Sequence, residues 1–370
     1  MRFLILNTDY PQFLQEHYAK SPELANESFA RQMAARMETM FGVADFYSQA
    51  LRNLRHVAID IHANNGPAQQ AWGREHGITF AACGSSLREL FPWTCRMERG
   101  KWQYEVLAAQ IRHYRPDVLL NQAMDMIDPA ALREFKPFIG RLVGQHASPP
   151  LKEEADWGAY DLGVSSFMPR VEWFRQKGLR AELNRLGFDR RVRQRVGEHE
   201  RDIPVSFVGT FLDMHTSRTA VLERLVEVGV PLKIWGMVPA GGLKDSRLSE
   251  CYMGPAWGLQ MYEVLARSKI VLNHHGNVPP YANNLRLFES TGSGAMLLTD
   301  DKPNLAELFR VGSEVLAYRD AQECVDQITY YLTHETERAA IAKAGQERTL
   351  TDHSFEHRMR ELIEIIGRGL

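Results

Sequence analysis

The chain has 370 residues, 44% of them hydrophobic and 24% charged, which excludes a disordered chain and supplies enough apolar material for two cores. Lys and Arg number 44 against 46 Asp and Glu, so the net charge is -2 and the basic excess of a nucleic-acid binder is missing. No run of 18 apolar residues occurs, so no membrane-spanning helix is expected.

The first residues, 1–7 (MRFLILN), lack a small-residue cleavage site and read as a buried strand rather than a signal peptide. Apolar positions at helical spacing (Phe29, Met33, Met37, Met40, Phe41) predict a helix over 26–41, stopped near Gly42. Residues 56–61 (HVAIDI) read as a second strand. A stripe of Val106, Leu107, Ile111 and Tyr114 predicts a helix over 104–114, ended by Pro116. Strands follow at 118–121, 141–145 and 162–165. Strand and helix alternating at this spacing predict a parallel sheet with crossover helices.

Between 186 and 202 five arginines crowd together (Arg190, Arg191, Arg193, Arg195, Arg201), which reads as a solvated interdomain connection. Such a basic patch also suits peripheral contact with anionic lipid. A second alternating unit then begins. Strands are expected at 205–208, 232–235, 270–273, 295–298 and 315–317, and helices at 218–228, 259–266, 285–290, 305–309 and 321–332. A helix over 355–366 ends the pattern. The domains expected are 1–198, with a returning helix at 355–370, and 199–354. Ligands of such sheets bind beyond the carboxyl ends of the strands.

Several chemistries lack their motifs. There is no G-x-x-x-x-G-K-[ST], no G-x-G-x-x-G after the first strand, no H-E-x-x-H and no G-x-S-x-G. The four cysteines (Cys83, Cys95, Cys251, Cys324) form no C-x-x-C and read as free thiols, which points to a cytoplasmic protein. No Asp-x-Asp occurs; the nearest pattern is Asp125 and Asp128. No metal and no cofactor are therefore expected. An enzyme without a metal must neutralise an anionic leaving group with helix N-termini and Arg, Lys or His.

The second unit supplies such groups. Gly209 and Thr210 follow a strand, where glycine lets a phosphate approach the backbone or simply makes a turn. Arg218 opens the next helix and is suited to a bidentate contact. Trp235 and Gly236 end another strand; the indole either stacks near a base or fills the core. His274 and His275 follow the strand 270–273, and an imidazole there can meet an anion or a sugar hydroxyl. Asn283 and Asn284 open a helix carrying Arg286 and Glu289, three residues apart and so on one face. Arg286 suits a diphosphate and Glu289 a pair of ribose hydroxyls; a surface ion pair is the plainer alternative.

These segments carry a resemblance. Val205 to Gly209, Lys233 to Gly236, Ser268 to Asn273, Arg286 to Glu289 and Gly294 to Asp300 follow one another in order, as do Glu307 to Phe309, Gly312 to Glu314, Tyr330 to Leu332 and the ending near His353 to Arg358. In that order they resemble the GT-B glycosyltransferases of the CgeB-like (spore-maturation-protein) group, over nearly all of the second half. The resemblance implies two Rossmann-like domains facing a cleft, a nucleotide-sugar donor held mainly by the second, an acceptor held mainly by the first, and a last helix returning to the first. It assigns the donor ribose to Glu289. Retaining relatives often carry another Glu eight residues earlier; here Tyr281 stands there, which leaves donor sugar and stereochemistry open.

The loops of the first domain offer Asn7, Asp9 and Tyr10, then His62 and Asn64, on the acceptor side. Asp125 and His146 are the candidates for a general base, with a turn or structural role as the alternative for each. The function expected is metal-independent transfer of a sugar, from a UDP-sugar by default, to the hydroxyl of an unidentified acceptor. A sugar-nucleotide epimerase of the same fold, and a non-catalytic sugar-nucleotide-binding or assembly protein, are the alternatives.

Overall fold

The computed structural model describes residues 1–79, 101–147, 151, 153–211, 216–238, 243, 246–276 and 280–368. Cys83 and Cys95 lie outside them, and Cys251 and Cys324 are free thiols. The chain divides into two compact units, Met1–Arg185 with Met359–Leu370, and Leu186–Arg358.

In the first unit, strands β1 (Arg2–Asn7), β2 (Val57–His62), β3 (Val118–Asn121), β4 (Arg141–Gln145), β5 (Leu162–Ser165) and β6 (Ala181–Leu183) form one parallel sheet in the order β2-β1-β3-β4-β5-β6. The short runs of β1, β3, β4 and β5 are buried on both faces, as parallel strands require. Helices α1 (Pro11–Lys20), α2 (Phe29–Glu38), α3 (Phe46–Asn53), α4 (Gly66–Glu75), α5 (Trp102–Tyr114), α6 (Pro129–Arg133) and α7 (Met168–Gln176) make the connections. Leu4, Leu119, Leu142, Ile111 and Phe174 lie in one core cluster. Each fully buried aliphatic side chain of this kind contributes about 1.5–3 kcal/mol.

The helix predicted over 26–41 is shorter. The Ser28 hydroxyl accepts the Arg31 N–H at its start, and at its end Met40 takes φ 53°, a left-handed turn that no helix continues through. A 3₁₀ turn, Pro22–Asn26, precedes it.

In the second unit, β7 (Ile203–Val208), β8 (Leu232–Trp235), β9 (Ser268–Asn273), β10 (Met296–Asp300) and β11 (Leu316–Tyr318) form a parallel sheet in the order β11-β10-β9-β7-β8. The winding matches that of the first five strands of the first sheet. In both, the chain steps to one neighbour and then crosses to the other side of its first strand. That reversal is a topological switch point, where a crevice opens at the carboxyl ends. It lies between β1 and β3 in one unit and between β7 and β9 in the other.

Helices of this unit are α8 (Arg191–Val196), α9 (Thr216–Glu227), α10 (Leu259–Arg267), α11 (Leu285–Gly292), α12 (Ala321–Thr333) and α13 (Glu335–Asp352). Residues 186–202, expected as a connection, are built into it. Phe188 is 2% exposed, its N–H donates to the His353 carbonyl at 2.8 Å, and its ring lies where a Cβ on Gly292 would meet it at 2.5 Å. The boundary therefore falls at 185/186 rather than 198/199. The last helix, α14 (Phe355–Gly367), contributes Met359 onward to the first unit. There Arg141 and Arg180 donate to the carbonyls of Ile366 and Ile365, at 3.2 and 3.4 Å.

Candidate functional site

The switch point of the second unit is bridged by Arg218. Its Nη1 donates to the Thr210 carbonyl at 2.7 Å, and Nε and Nη2 both donate to the His274 carbonyl at 3.2 and 2.8 Å. The guanidinium lies over the Phe207 ring, 5.3 Å from its centre. Burial lowers its pKa to about 10, which leaves it charged at neutral pH. Arg218 thus ties the loop after β7 to the loop after β9. This revises the expectation of a phosphate ligand: its planar fork is engaged by backbone oxygens.

The neighbouring turn is equally constrained. The Gly209 N–H donates to the Trp235 carbonyl at 2.9 Å. Gly236 takes φ +141°, and a Cβ there would lie 1.8 Å from the Gly209 carbonyl oxygen. Only glycine permits that backbone contact. Trp235 is 9% exposed, so of its two expected roles the core-filling one matches its burial.

Across the switch point, the Asn284 side chain accepts the Leu287 N–H at 3.3 Å and so caps α11. Its amide also donates to Asn273 at 2.9 Å, Asn273 donates to Thr299 at 2.9 Å, and Thr299 donates to Asp300 at 3.2 Å. Asp300 in turn accepts the His275 backbone N–H and contacts the His275 ring nitrogen Nδ1 at 2.6 Å. Lys302 lies 2.8 Å from its other oxygen. Burial works to raise the Asp300 pKa, but the His275 bond, the His274 and His275 charges and Lys302 hold the carboxyl well below the usual range. With Nδ1 committed, Nε2 of His275 is buried and has no hydrogen-bond partner among the described residues. His274 points elsewhere, to the Tyr318 and Ser217 hydroxyls at 2.8 and 3.2 Å.

Arg286 and Glu289 form the expected i, i+3 pair at 2.8 Å. It is not a surface pair: the side chains are 14% and 7% exposed. Glu289 also accepts the Tyr262 hydroxyl at 3.3 Å. Burial raises its pKa, opposed by Arg286 and Tyr262. Arg286 further donates to the Val208 carbonyl at 3.3 Å and contacts Met261 Sδ at 3.2 Å. Both carboxylate oxygens of Glu289 are thus engaged within the protein, one by Arg286 and one by Tyr262. Gly209, Thr210, Arg218, Trp235, Gly236, His275, Asn284, Arg286 and Glu289 form one continuous network at the carboxyl ends of β7, β8 and β9. Asp300, Asn273 and Thr299 belong to it as well. A carboxylate closing a fully buried strand that is otherwise apolar but for Thr299 was the available signal for Asp300.

In the first unit the expected residues separate into two groups. Asp9 is buried and inward. Its carboxylate takes the Arg36 guanidinium in a bidentate ion pair and contacts His62 Nδ1 at 2.7 Å. Asn64 accepts the Asp9 N–H at 2.8 Å and donates to its carbonyl at 2.7 Å. Burial works to raise the Asp9 pKa, but Arg36 and His62 hold it well below the usual carboxylate range. Asp9, His62 and Asn64 therefore lock the loops after β1 and β2 together, and the expectation that they face an acceptor is corrected. Arg36 was missed because it sits among Met33 and Met37 on the apolar stripe of α2.

The second group lies along the carboxyl ends. Asn7 donates to Gln122 at 3.2 Å, Gln122 to Gln145 at 2.8 Å, and Gln145 to the Tyr47 hydroxyl at 2.7 Å. Tyr10 is 48% exposed. Asp125 is exposed and lines a cavity of about 650 Å³ with Trp157, Glu154 and Asp156. His146 follows β4, 8% exposed, its N–H donating to the Val164 carbonyl at 3.2 Å. Among the described residues no three His, Cys, Asp or Glu side chains gather as a metal site, and no helix is long and apolar enough to cross a membrane.

Two parallel-sheet Rossmann-like units, with the last helix returning to the first, define a GT-B fold. Residues 218–364 match a family model described as glycosyl transferase-like. Among solved structures, the Anabaena HepE complex with UDP and glucose aligns at TM-score 0.58 and 12% identity over 100% of both chains. A sucrose-phosphate synthase from Thermosynechococcus elongatus aligns at 0.57 and 12% identity, over 100% of this chain and 99% of that one. A glycosyltransferase from Rickettsia africae aligns at 0.59 and 10% identity, over 98% and 97%. Comparison with curated proteins yields no match.

Proposed function

We propose that the chain is a cytoplasmic, metal-independent glycosyltransferase of the hexosyltransferase type, moving a sugar from a nucleoside diphosphate sugar to an acceptor hydroxyl. The observation that carries the reading is the clustering of Arg286, the capped start of α11 and the Gly209–Gly236 contact at the switch point of the unit that holds most of the glycosyl transferase-like match. UDP is the preferred nucleotide, because the HepE structures contain UDP or UDP-glucose. The order of motifs in the second half favours kinship with the CgeB-like group.

In this reading the bond between the anomeric carbon and the diphosphate oxygen breaks, and an acceptor oxygen bonds to that carbon. The departing diphosphate gathers negative charge. Arg286 and the amides at the start of α11 face that charge, and such preorganised donors stabilise it more in the transition state than in the bound donor. His275, its Nδ1 held by Asp300, presents Nε2 as a further partner for the phosphate or the sugar. Glu289 orients Arg286; a ribose contact would require its carboxylate to exchange Tyr262 for the sugar. Asp125 or His146 takes the acceptor proton in an inverting reaction.

The test is thermal unfolding with UDP, GDP, dTDP, ADP and CMP, with and without EDTA. A ligand that binds only the folded state stabilises it by about 2.7 kcal/mol at one hundred times its Kd. One diphosphate should raise Tm regardless of EDTA, and incubation with its sugar conjugates and an acceptor panel should release that diphosphate. A shift abolished by EDTA, or no shift with any nucleotide, would overturn the reading.

A further inference from the structure

The arginine-rich stretch 190–201 takes no part in the site above, yet one of its residues is half-buried. Arg201 lies just before β7, and its Nη1 donates to the carbonyls of Ala266 and Ser268 at 3.0 and 2.7 Å. Its hydrogen bonds among the described residues go to these carbonyls, with no carboxylate as counter-charge. Burial, and then the nearby positive charge of Arg338, push its pKa down. A half-buried cation beside a second cation is costly unless an anion or water compensates it.

The surroundings supply both space and donors. A cavity of about 250 Å³ is lined by Arg193, His199, Arg201, Ser293 and Gln346, with Glu198 as its carboxylate. The Ser293 hydroxyl is buried and has no hydrogen-bond partner among the described residues. Gly294 takes φ +79°, and a Cβ there would lie 2.6 Å from Gln346 Nε2 and 2.9 Å from Arg201 Nη2. Its bare backbone therefore lets two N–H-bearing groups converge beside Ser293. Arg193 is exposed at the rim. All of this stands at the amino ends of β7, β9 and β10. Parallel strands put that edge opposite the carboxyl-end network of the same unit.

We infer that this cavity is a second anion site, binding a phosphate-class ligand through Arg201, Arg193, Ser293 and Gln346, apart from the carboxyl-end network. A tetrahedral dianion fits within the cavity and suits the fork of Arg201 and the orphaned hydroxyl. Its source is either a free phosphate or the headgroup of an anionic lipid, which offer the same chemistry.

The experiment measures Tm of the full chain against inorganic phosphate, with chloride at equal ionic strength as reference and UDP present or absent. In parallel it measures co-sedimentation with phosphatidylglycerol and with phosphatidylcholine vesicles. Phosphate should raise Tm saturably beyond chloride, and UDP should not remove the effect. Ser293→Asp should fold with a raised basal Tm, since it brings its own carboxylate to Arg201, and should lose the phosphate response. Arg193→Gln, which removes only a rim cation, should weaken phosphate at least about threefold, roughly 0.65 kcal/mol. A response to vesicles alone, lost in the same two variants, assigns the site to the headgroup. Equal effects of phosphate and chloride together with no selective vesicle binding, or a response unchanged in both variants, would overturn the inference.

Discussion

Asp300 holds His275 at two points: one carboxylate oxygen accepts the backbone N–H at 3.0 Å and contacts ring Nδ1 at 2.6 Å. The contact fixes where the strand β10 ends relative to the loop after β9, and it leaves Nε2 as the ring's remaining polar atom. It also gives the pair a definite pH signature.

The folded-state pKa of Asp300 is lowered despite its burial. Its contribution is therefore complete above the unfolded value of about 3.9 and is lost as pH falls through the folded value. Asp300→Asn keeps an acceptor but removes the charge, and should cost about 1–3 kcal/mol at pH 7. In urea melts the gap to the parent protein should narrow steadily below about pH 4. An equal gap at pH 3 and pH 7 would mean that the carboxylate is not the ionised partner drawn here.

Gly236→Ala should be among the most damaging single substitutions in the second unit. It adds a methyl group 1.8 Å from a backbone oxygen at φ +141°, where no side chain can move aside. A loss of about 3 kcal/mol or more is expected, read as a lowered urea midpoint with unchanged slope. Near-parental stability would require the two turns to separate at little cost.

Arg218 and Arg286 should divide stability from binding. Arg218→Ala leaves two loops untied and the His274 and Thr210 carbonyls unpaired, so Tm should fall. Arg286→Ala should weaken UDP about tenfold or more, near 1.4 kcal/mol, and should lower Tm as well because it leaves the buried Glu289 carboxylate without its counter-charge, whereas Arg218→Ala should leave UDP affinity near that of the parent. Calorimetric titration beside thermal unfolding separates the two. Equal UDP affinity in Arg286→Ala and the parent would remove Arg286 from the donor site.

Arg36→Met should destabilise the first unit by about 3–5 kcal/mol, because it strands the Asp9 carboxylate in the interior. Pairing it with Asp9→Asn should recover part of that loss, which a double-mutant cycle would show. Additive losses would mean that the two groups do not act as a pair.

Most strands were legible because they are short, largely buried apolar runs that end at or just before a polar or glycine residue. β6 was not, since three residues, Ala181–Leu183, carry too little pattern. α13 was also missed: its small and charged residues (Ala339, Ala340, Glu347, Arg348) display no broad apolar stripe. In the candidate site, the sequence order of Gly209, His275, Asn284 and Arg286 was enough to group them. The direction in which a side chain points was not. Arg218 and Asp9 look like ligand-binding groups in sequence, yet both are spent on internal partners, because each lies where two loops must be joined. Only the fold brings Asp300 to His275 and Arg36 to Asp9, across 25 and 27 residues.

The return of α14 to the first unit has a consequence for synthesis. Leu362, Ile365 and Ile366 are buried, and the carbonyls of Ile365 and Ile366 receive Arg180 and Arg141. Those partners are made roughly 185 and 225 residues before the segment that meets them. At about 5–20 residues per second, the first unit waits some ten seconds or more on the ribosome with an apolar strip uncovered. The second unit, contiguous from 186 to 358, is complete before the first one is. The part of the chain translated first is the last to close.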